Sequence, residues 1–347
     1  MTIAIIGGGI FGLSLAIFFK KKNIDVIVFE ECNDILLNAS LNNHNRIHFG
    51  FHYPRSEKTC KQCLSSHNCF FSYFKDAIIN NFSNYYLIEK TSKINSKQYE
   101  SFCNNMSLKY TKNYPDNDII DISFIENSYL TEEPIFDYNI LKDIIKNYIK
   151  QYNITIKLNT KINCIDQLKD YKYIINTTYY NLNYIKDIFK LPKIKLKLQD
   201  VIIPIFEWNY KKIGLTIMDG NFCSIMPKGN ETNMFLLYHV KYSVIKSTEN
   251  YYIPEEWHND KIDINKLIEK IYNESKKYYP FLNNIKKIGY WRSYRAIPIN
   301  DNDARETDIY MDDYQDKKII SLLSGKITTS ILSAQLLYEK LNIIDII

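Results

Sequence analysis

Three glycines near the start of the chain constrain its fold more than any other feature. Gly7, Gly9 and Gly12 follow the apolar residues 3–6 and open an apolar stretch that continues to residue 19. This order is typical of a strand, a tight turn and a helix. The spacing fits G-x-G-x-x-G, which brings backbone amides at a helix N-terminus onto a pyrophosphate. Because only 10 of the 347 residues are glycine, the cluster favours a nucleotide-binding turn over a merely structural one.

The segment DVIVFE, residues 25–30, supports the same interpretation. It reads as a second buried strand ending in Glu30, where a carboxylate is needed to hydrogen-bond the ribose hydroxyls of a dinucleotide. The predicted nucleotide contacts are Gly7, Gly9, Ile10, Phe11, Gly12, Glu30 and Glu31. NAD and FAD sites share this fingerprint, so these residues alone leave both cofactors open.

Composition narrows the class of protein. The chain is 46% hydrophobic, which is enough for a substantial core and two domains. Its net charge of +5 is too small to indicate a nucleic-acid partner. We find no uncharged apolar stretch of about 18 residues and therefore expect no membrane span. The first strand begins at residue 2, which leaves no room for a targeting segment, and the seven cysteines form no paired framework. These features predict a cytoplasmic protein.

Cys60 and Cys63 form a lone C-x-x-C pair. The sequence has no second pair and no helical His-x-x-x-His to complete a zinc site. A core-facing or solvated helix position is the favoured interpretation, and no metal is predicted.

The pattern of elements divides the chain into two domains. Helices are predicted over residues 57–80, 93–108, 132–153, 262–278 and 326–342, and strands over 84–91, 154–159, 161–166, 171–178, 287–299 and 317–325. Strand 171–178 is predicted to be the final strand of the nucleotide sheet. Between residues 195 and 245, strand-like segments separated by Gly, Pro, Asn and Asp indicate an antiparallel sheet. We predict an α/β fold with a discontinuous Rossmann-like domain over 1–80, 150–190 and 290–347, and an inserted antiparallel-sheet substrate domain over 81–149 and 191–289.

This arrangement resembles the D-amino acid oxidase and glycine oxidase superfamily of flavoproteins. The resemblance rests on the Gly7 to Glu30 unit, the discontinuous nucleotide domain and the inserted sheet. It implies that the cofactor is FAD and that the ADP half of FAD lies at the Gly7 to Glu30 unit. Thr177, at the end of strand 171–178, is then a further expected cofactor contact.

A second motif, NASLNNHNRIHFGFHYPRSEKT, covers residues 38–59. It resembles a segment of the L-2-hydroxyglutarate oxidase branch that contains Ile-His-x-Gly followed by an aromatic residue, Tyr, Pro and Ser. The resemblance implies that Ser40 and Asn42 touch the diphosphate. It also implies that Arg46, Ile47 and His48 lie beside the isoalloxazine ring. Asn45 and Arg46 stand where that branch usually has Ser-Gly, which is a departure at the ring itself.

A third motif, YRAIPINDNDARET, covers residues 294–307. It resembles the Arg-Pro stretch of the family, and Arg295 falls on the arginine that grips the substrate carboxylate in amino acid oxidases. Residues 304–307 replace the usual Pro-x-Ile-Gly. The following segment, 322–335, corresponds to the glycine and helix N-terminus that face the pyrimidine edge of the flavin. That correspondence implies contacts from Gly325, Lys326, Ile327 and Thr328.

The residue chemistry suggests a role for each candidate. Arg295 suits a carboxylate because its planar fork donates two hydrogen bonds, with Arg46, Arg55 and Arg292 as alternatives. His48 is a candidate base, since imidazole titrates near neutral pH. Lys326 or the nearby amide dipoles would stabilise charge at N1 and O2 of the flavin. Tyr53 and Tyr238 are predicted substrate contacts. A structural role for His48 and a surface ion pair for Arg295 remain open, and His44 and His52 are predicted to be loop or surface groups.

The combined expectation is an FAD-dependent oxidoreductase. It would remove hydride from a C–OH or C–NH2 carbon of a small, carboxylate-bearing substrate such as a 2-hydroxy acid, a sugar acid or an amino acid. The alternative is a flavin-binding or degenerate nucleotide-binding module without redox turnover. The sequence leaves the electron acceptor and the oligomeric state open.

Overall fold

The computed structural model describes residues 2–230, 233–299 and 304–343. Within these residues the chain forms eight α-helices and seventeen β-strands. The helices are α1 (Ile10–Lys21), α2 (Glu57–Phe74), α3 (Ser96–Asn105), α4 (Tyr138–Gln151), α5 (Leu182–Ile188), α6 (Glu256–Asn259), α7 (Ile264–Lys276) and α8 (Ser330–Ile343). The strands are β1 (Thr2–Ile6), β2 (Asp25–Phe29), β3 (Ile78–Ile79), β4 (Ser83–Glu89), β5 (Tyr110–Lys112), β6 (Ile125–Thr131), β7 (Ile135–Phe136), β8 (Thr155–Lys157), β9 (Tyr173–Asn176), β10 (Leu196–Glu207), β11 (Ile213–Met218), β12 (Cys223–Pro227), β13 (Met234–His239), β14 (Val244–Asn250), β15 (Lys286–Pro298), β16 (Asp308–Tyr314) and β17 (Lys317–Leu323).

Six strands form a sheet in the order β16-β17-β9-β1-β2-β8. The five strands from β17 to β8 are parallel to one another, and β16 at the edge runs antiparallel to β17. Ile3 and Ile5 of β1 pack into a core with α1, α4 and α8, whereas Ala4 and Ile6 face α5 on the other side. Alternate residues of a strand face opposite sides, so helices cover both faces of this sheet. The carboxyl ends of its parallel strands meet at one edge.

Nine strands form a second sheet, in the order β14-β10-β13-β12-β11-β4-β6-β5, with β15 paired to β10. The strands between residues 195 and 245 are antiparallel to their neighbours within that segment, as predicted. β4 adds to β11 in parallel and makes the sheet mixed. One face packs against α7 through Ile202 and Phe206. The predicted α/β class, with a Rossmann-like sheet and a second sheet built mainly of antiparallel strands, is confirmed.

Two helices depart most from their predicted bounds. α2 ends at Phe74 rather than near residue 80, because a 3-10 turn at Lys75–Ala77 leads into β3, which pairs with β7. α4 begins at Tyr138 rather than at residue 132. Asp137 caps it, since its Oδ1 accepts hydrogen bonds from two N–H groups of the first turn.

Two strand predictions also need correction. Residues 161–166 form a loop and a 3-10 turn, because the Gln167 side chain accepts hydrogen bonds from the backbone N–H groups of Asn163 and Cys164. These two N–H groups therefore have a hydrogen-bond partner in the loop itself and do not pair with a neighbouring strand. Strand 171–178 corresponds to β9, which is internal and not the last strand, because β17 and β16 extend the sheet beyond it.

The predicted domain boundaries change at two segments. β15 pairs with β10 along its length, so residues 290–298 extend the second sheet instead of the first. α4 contributes Leu141 and Ile145 to the core of the first sheet, so residues 138–149 belong with that sheet. Residues 300–303 of the third motif, and residues 1 and 344–347 of the predicted FAD-binding domain, lie outside the described residues. None of the described helices combines the length and the apolar character needed to cross a membrane.

Candidate active site

A cavity of about 1210 Å³ lies between the carboxyl edge of the first sheet and one face of the second. Gly7, Glu30 and Thr177 line it where β1, β2 and β9 end. Gln199 of β10 and Tyr238 of β13 line its opposite side. The crevice at the carboxyl ends of parallel strands is where α/β sheets bind ligands.

The first turn and Glu30 are joined at the edge of this cavity. Gly7 has a φ of +109°, a left-handed conformation that favours glycine. The N–H of Gly8 donates to Glu30 Oε2 at 2.6 Å, and the N–H of Cys32 donates to Glu30 Oε1 at 2.8 Å. These two bonds hold the carboxylate at the cavity wall, instead of leaving it directed into bulk water.

The N-terminus of α1 opens into the same cavity. Gly9 and Ile10 line it, and the N–H of Ile10 donates to Ser40 Oγ at 3.0 Å. A Cβ atom on Gly12 would collide with the carbonyl oxygen of Gly7, so glycine allows the helix to pack closely on the turn. The amides and the positive end of the helix dipole suit a pyrophosphate. The residues present therefore fit a dinucleotide cofactor.

Most residues predicted to contact cofactor or substrate line the cavity. They are Gly7, Gly9, Ile10, Phe11, Glu30, Glu31, Ser40, Asn42, Arg46, His48, Tyr53, Thr177, Tyr238, Arg295, Gly325, Lys326 and Ile327. Their roles toward a ligand stay predictions. The fold thus brings residues from the N-terminus, the second sheet and the C-terminal segment around one space.

Three predicted contacts lie behind the cavity wall. Gly12 sits beneath the first turn, as its contact with Gly7 requires. Ile47 is buried in the core beside α1, because its N–H donates to the Pro134 carbonyl at 3.0 Å in an extended segment. In an extended chain, alternate side chains point to opposite sides. The neighbours of Ile47, Arg46 and His48, therefore face the cavity. Thr328 is fully buried in the 3-10 turn before α8.

Cys60 and Cys63 lie on α2 and are fully buried in an apolar cluster. The core-facing interpretation of this C-x-x-C pair is confirmed. In residues 2–230, 233–299 and 304–343, no three His, Cys, Asp or Glu side chains are grouped so that they could hold a metal ion.

A buried polar cluster lies behind Arg46 and His48, in the part of the cavity that we call the histidine end. Arg46, only 7% exposed, donates to Tyr86 Oη at 3.2 Å and to Thr216 Oγ1 at 2.5 Å. Tyr86 Oη donates to Glu133 Oε1 at 2.5 Å, and the N–H of Phe49 donates to Glu133 Oε2 at 2.8 Å. Burial raises the pKa of Glu133, and the charge of Arg46 and the bond from Tyr86 partly offset that rise.

His44 and His52 lie on a loop, which agrees with one part of the prediction, but they are not surface groups. Both line the cavity beside His48, and we call the segment 44–52 that carries the three histidines the histidine loop. The ring centres of His48 and His52 are 5.7 Å apart. Burial is the main cause that lowers the pKa of each of the three histidines, and the charge of Arg46 adds to it. Near pH 7 these imidazoles are neutral and able to accept a proton.

Two of the alternative arginines are paired with carboxylates. Arg55 Nε donates to both oxygens of Asp219 at 2.9 Å. Arg292 donates to both oxygens of the buried Asp200, the shorter contact being 2.6 Å. Their charges are therefore neutralised within the protein.

Arg295 differs from these two arginines. Its Nε donates to Gln199 Oε1 at 2.7 Å and its Nη2 donates to Tyr238 Oη at 2.8 Å. Both partners are neutral. Among the described residues no carboxylate pairs with this guanidinium, so it presents an uncompensated positive charge to the cavity.

The sequence analysis missed Glu133 and Tyr86. Glu133 was included in the predicted helix 132–153, but it precedes Pro134, and a residue before proline is disfavoured in a helix. That signal could have placed Glu133 in extended chain. The role of Tyr86 depends on pairing between β4 and β6, which brings it beside Glu133 and is not visible in the local sequence.

Comparison with known proteins gives three findings. Residues 2–92 match the family model described as FAD dependent oxidoreductase, DAO. The "FAD-dependent monooxygenase kojA" of Aspergillus flavus is 24% identical over 285 residues, which cover 72% of this chain. That match spans 64% of the relative, less than two thirds of its length. Glycine oxidase from Geobacillus kaustophilus shares the fold with a TM-score of 0.75 at 10% identity, covering 97% of this chain and 93% of that one. L-proline dehydrogenase from P. horikoshii also has a TM-score of 0.75, at 14% identity and with 98% and 93% coverage.

The match over residues 2–92 includes the first turn, Glu30 and the histidine loop. The shared fold extends over nearly the whole chain. The N-terminal quarter of the chain thus matches a family of FAD-dependent oxidoreductases, and nearly the whole chain has the fold of glycine oxidase and L-proline dehydrogenase.

Proposed function

We propose that this FAD-dependent oxidoreductase removes hydride from a carbon that bears an amine or a hydroxyl group, on a small substrate that carries a carboxylate. The observation that carries this proposal is Arg295, a cavity-lining guanidinium held by two neutral partners. An arginine in such a position favours a carboxylate from outside the protein, because the planar fork can donate two charge-assisted hydrogen bonds.

The charges of the side chains that line the cavity favour negatively charged ligands. Among the residues that the structure describes, eight basic side chains line the cavity, against three acidic ones. The basic residues are Arg46, Arg55, Lys93, Lys161, Lys197, Arg295, Arg305 and Lys326, and the acidic residues are Glu30, Glu31 and Asp219. The diphosphate of FAD and a substrate carboxylate would together offset this excess.

The lining of the cavity supports a proposal for the residues that would hold FAD. Gly7, Gly9 and the α1 amides would take the pyrophosphate, Glu30 the ribose, and residues 325–327 the ring edge. FAD supplies the acceptor for the hydride that leaves the substrate. The protein groups at the other end would hold the carboxylate through Arg295 and Tyr238, and His48 would accept the proton from the amine or hydroxyl.

The choice between an amine and a hydroxyl substrate has support on both sides. Two of the solved structures that share the fold are named glycine oxidase and L-proline dehydrogenase, which favours an amine, and another is named glycerol-3-phosphate dehydrogenase, which favours a hydroxyl. The segment around His48 resembles that of a hydroxy acid oxidase branch, which favours a hydroxyl.

All seven cysteines are free, which supports a cytoplasmic location.

The test is anaerobic reduction of the bound flavin. Purified holoprotein is mixed without oxygen with a panel of 2-amino acids, 2-hydroxy acids and sugar acids, and the absorbance of the oxidised flavin is followed. We expect bleaching by members of one class and none by the corresponding compounds that lack the carboxylate. Bleaching by the compounds without a carboxylate, or by no panel member, would refute the proposal. Because the curated relatives are named monooxygenases, products formed in air are checked for inserted oxygen.

A further inference from the structure

Glu133 is the most deeply buried carboxylate beside the cavity histidines. Its side chain is fully buried, yet both of its oxygens accept hydrogen bonds, from Tyr86 Oη at 2.5 Å and from the N–H of Phe49 at 2.8 Å. The N–H of Phe49 can only donate, and together with the charge of Arg46 and the bond from Tyr86 it favours the ionised carboxylate, against the effect of burial. His48 Nδ1 lies 3.6 Å from Glu133 Oε1, just beyond hydrogen-bond distance but within ion-pair range when the imidazole is protonated.

The pairing of two backbone segments sets this distance. The N–H of Ile47 donates to the Pro134 carbonyl at 3.0 Å, and the N–H of Phe136 donates to the Asn45 carbonyl at 2.8 Å. The histidine loop is thereby held against the segment that follows β6. Because these bonds flank His48 and Glu133, the two side chains face each other as a consequence of the fold.

A chain of polar contacts continues from Glu133 into the core. Arg46 Nη1 donates to Tyr86 Oη at 3.2 Å, and Tyr86 in turn donates to Glu133. Arg46 therefore stabilises the negative charge of Glu133 through the tyrosine. Since Nδ1 of His48 faces this carboxylate, Nε2 is the ring nitrogen left to meet a ligand in the cavity.

We propose that Glu133 is the positioning residue for His48. It fixes the imidazole with Nδ1 protonated and Nε2 free, and it stabilises the imidazolium that forms when Nε2 accepts a proton. This inference rests on the proposed function. In the step it supports, one N–H or O–H bond of the substrate breaks and its proton passes to Nε2. The electron pair left behind forms the C=N or C=O bond, while the C–H hydrogen leaves with its own electron pair as hydride to FAD.

Several charged or titratable groups face His48 and shape its pH dependence. They are Glu133 from the segment after β6, Tyr86 from β4, Lys326 and Arg305 from the C-terminal segment, and Arg46, His52 and Tyr53 from its own loop. Burial is the main cause that lowers the pKa of His48, and the charges of Lys326, Arg46 and Arg305 add to it. The Glu133 carboxylate, 3.6 Å from Nδ1, would act in the opposite direction. Loss of the Glu133 charge should therefore shift protonation of His48 to lower pH.

The kinetic test compares four variants of the holoprotein with the wild type. They are Glu133→Gln, Tyr86→Phe, His48→Gln and the double variant Glu133→Gln/His48→Gln. Glu100→Gln is the matched control, because Glu100 accepts a hydrogen bond from Tyr129 Oη at 2.7 Å outside the cavity lining. The limiting rate of anaerobic flavin reduction is measured against pH, with FAD content and thermal stability recorded for each protein.

Glu133→Gln is expected to slow reduction about 100-fold and to move the acid limb of the profile to lower pH by about one unit. Tyr86→Phe should produce a smaller change of the same kind, and Glu100→Gln none. The double variant should be no slower than His48→Gln alone, because the two residues act as one unit. An unmoved acid limb, or losses that multiply in the double variant, would overturn the assignment.

A second measurement separates this inference from the proposed function. Holoprotein labelled with ¹⁵N in histidine is titrated by NMR, and His48 is identified by its absence from the His48→Gln spectrum. We expect Nδ1–H in the wild type and a lower titration midpoint in Glu133→Gln. An unchanged tautomer and midpoint would refute the role of Glu133. If no amine or hydroxy acid reduces the flavin, the proposed function fails, and the NMR result still decides the role of Glu133.

Discussion

The two ends of the cavity are built in different ways. At the nucleotide end, each contact of the first turn involves a backbone group: the N–H of Gly8 donates to Glu30, the N–H of Ile10 donates to Ser40, and the carbonyl of Ile6 accepts from Thr177 Oγ1. At the histidine end, Arg46 reaches Thr216, which is 170 positions away along the chain. Backbone groups dominate the first set, and side chains dominate the second.

We infer from this difference that the nucleotide end binds the cofactor and that the histidine end carries out the reaction. A site made of backbone amides and one acidic side chain can hold the same cofactor in many proteins. A site made of side chains from distant segments can change without altering the cofactor site, so we propose that the histidine end determines the substrate. Variants at the nucleotide end should therefore alter FAD content, and variants at the histidine end should alter turnover.

At the nucleotide end the largest expected effect is at Gly12. A Gly12→Ala substitution places a methyl group against the Gly7 carbonyl oxygen and forces the helix off the turn. Overpacking of this kind costs about 2 kcal/mol, and we expect FAD content to fall about tenfold or more. The flavin-to-protein absorbance ratio and the thermal unfolding midpoint measure both effects. Gly289→Ala is the control, because a Cβ there meets no atom within 4 Å. Equal FAD content in the Gly12→Ala and Gly289→Ala variants would contradict this prediction.

At the histidine end the largest effect is expected from Arg295. Arg295→Met should lower kcat/KM for the carboxylate substrate about 100-fold, since hydrogen bonds to a charged group are lost. Its affinity for FAD should stay unchanged. Arg295→Lys should recover part of the loss, because lysine keeps the charge without the planar fork. A loss of FAD together with turnover would show that the two ends are not separable.

Glu30 should show the reverse pattern. Glu30→Gln keeps one acceptor oxygen but loses the charge that accepts from Gly8 and Cys32. We expect the Kd for FAD to rise about tenfold, with the limiting reduction rate unchanged once FAD is saturating. Fluorescence titration of the apoprotein measures the Kd. Glu57→Gln on the surface of α2 is the control.

The smallest effect concerns stability and pH. Burial lowers the pKa of His52 in the folded protein below the value of about 6.5 that it has when unfolded. The unfolded chain therefore takes up the proton first as the pH falls, and folding stability decreases below that value. Between pH 7.5 and 6 the loss is about 0.8 kcal/mol for one such histidine. Urea unfolding of the wild type and His52→Gln at both pH values checks this. A variant that loses as much stability as the wild type would contradict the prediction.

The same contrast explains what could be predicted from the sequence. The turn at Gly7 and the acid at position 30 belong to one local strand-helix-strand unit, whose spacing is visible in the chain. Arg46 and His48 could be placed only through a resemblance, and Glu133 was hidden inside a predicted helix. Its role depends on pairing between residues 45–47 and 134–136. Non-local pairing of this kind leaves little trace in local composition, except for the helix-disfavouring position before Pro134.

The arginines show a related limit. Arg55, Arg292 and Arg295 have the same chemistry in the sequence, and each was a candidate for the substrate carboxylate. Asp219 and Asp200 neutralise the first two in the fold. Which arginine keeps its charge for a ligand depends on distant partners and becomes visible only in three dimensions.

A structure of the purified holoprotein with FAD bound is the most direct test of this division. We expect the pyrophosphate within hydrogen-bond distance of the α1 N-terminal amides, and the isoalloxazine ring between the histidine loop and residues 325–327. A ring bound away from His48 and Arg295, or an adenine placed at the histidine end, would contradict it.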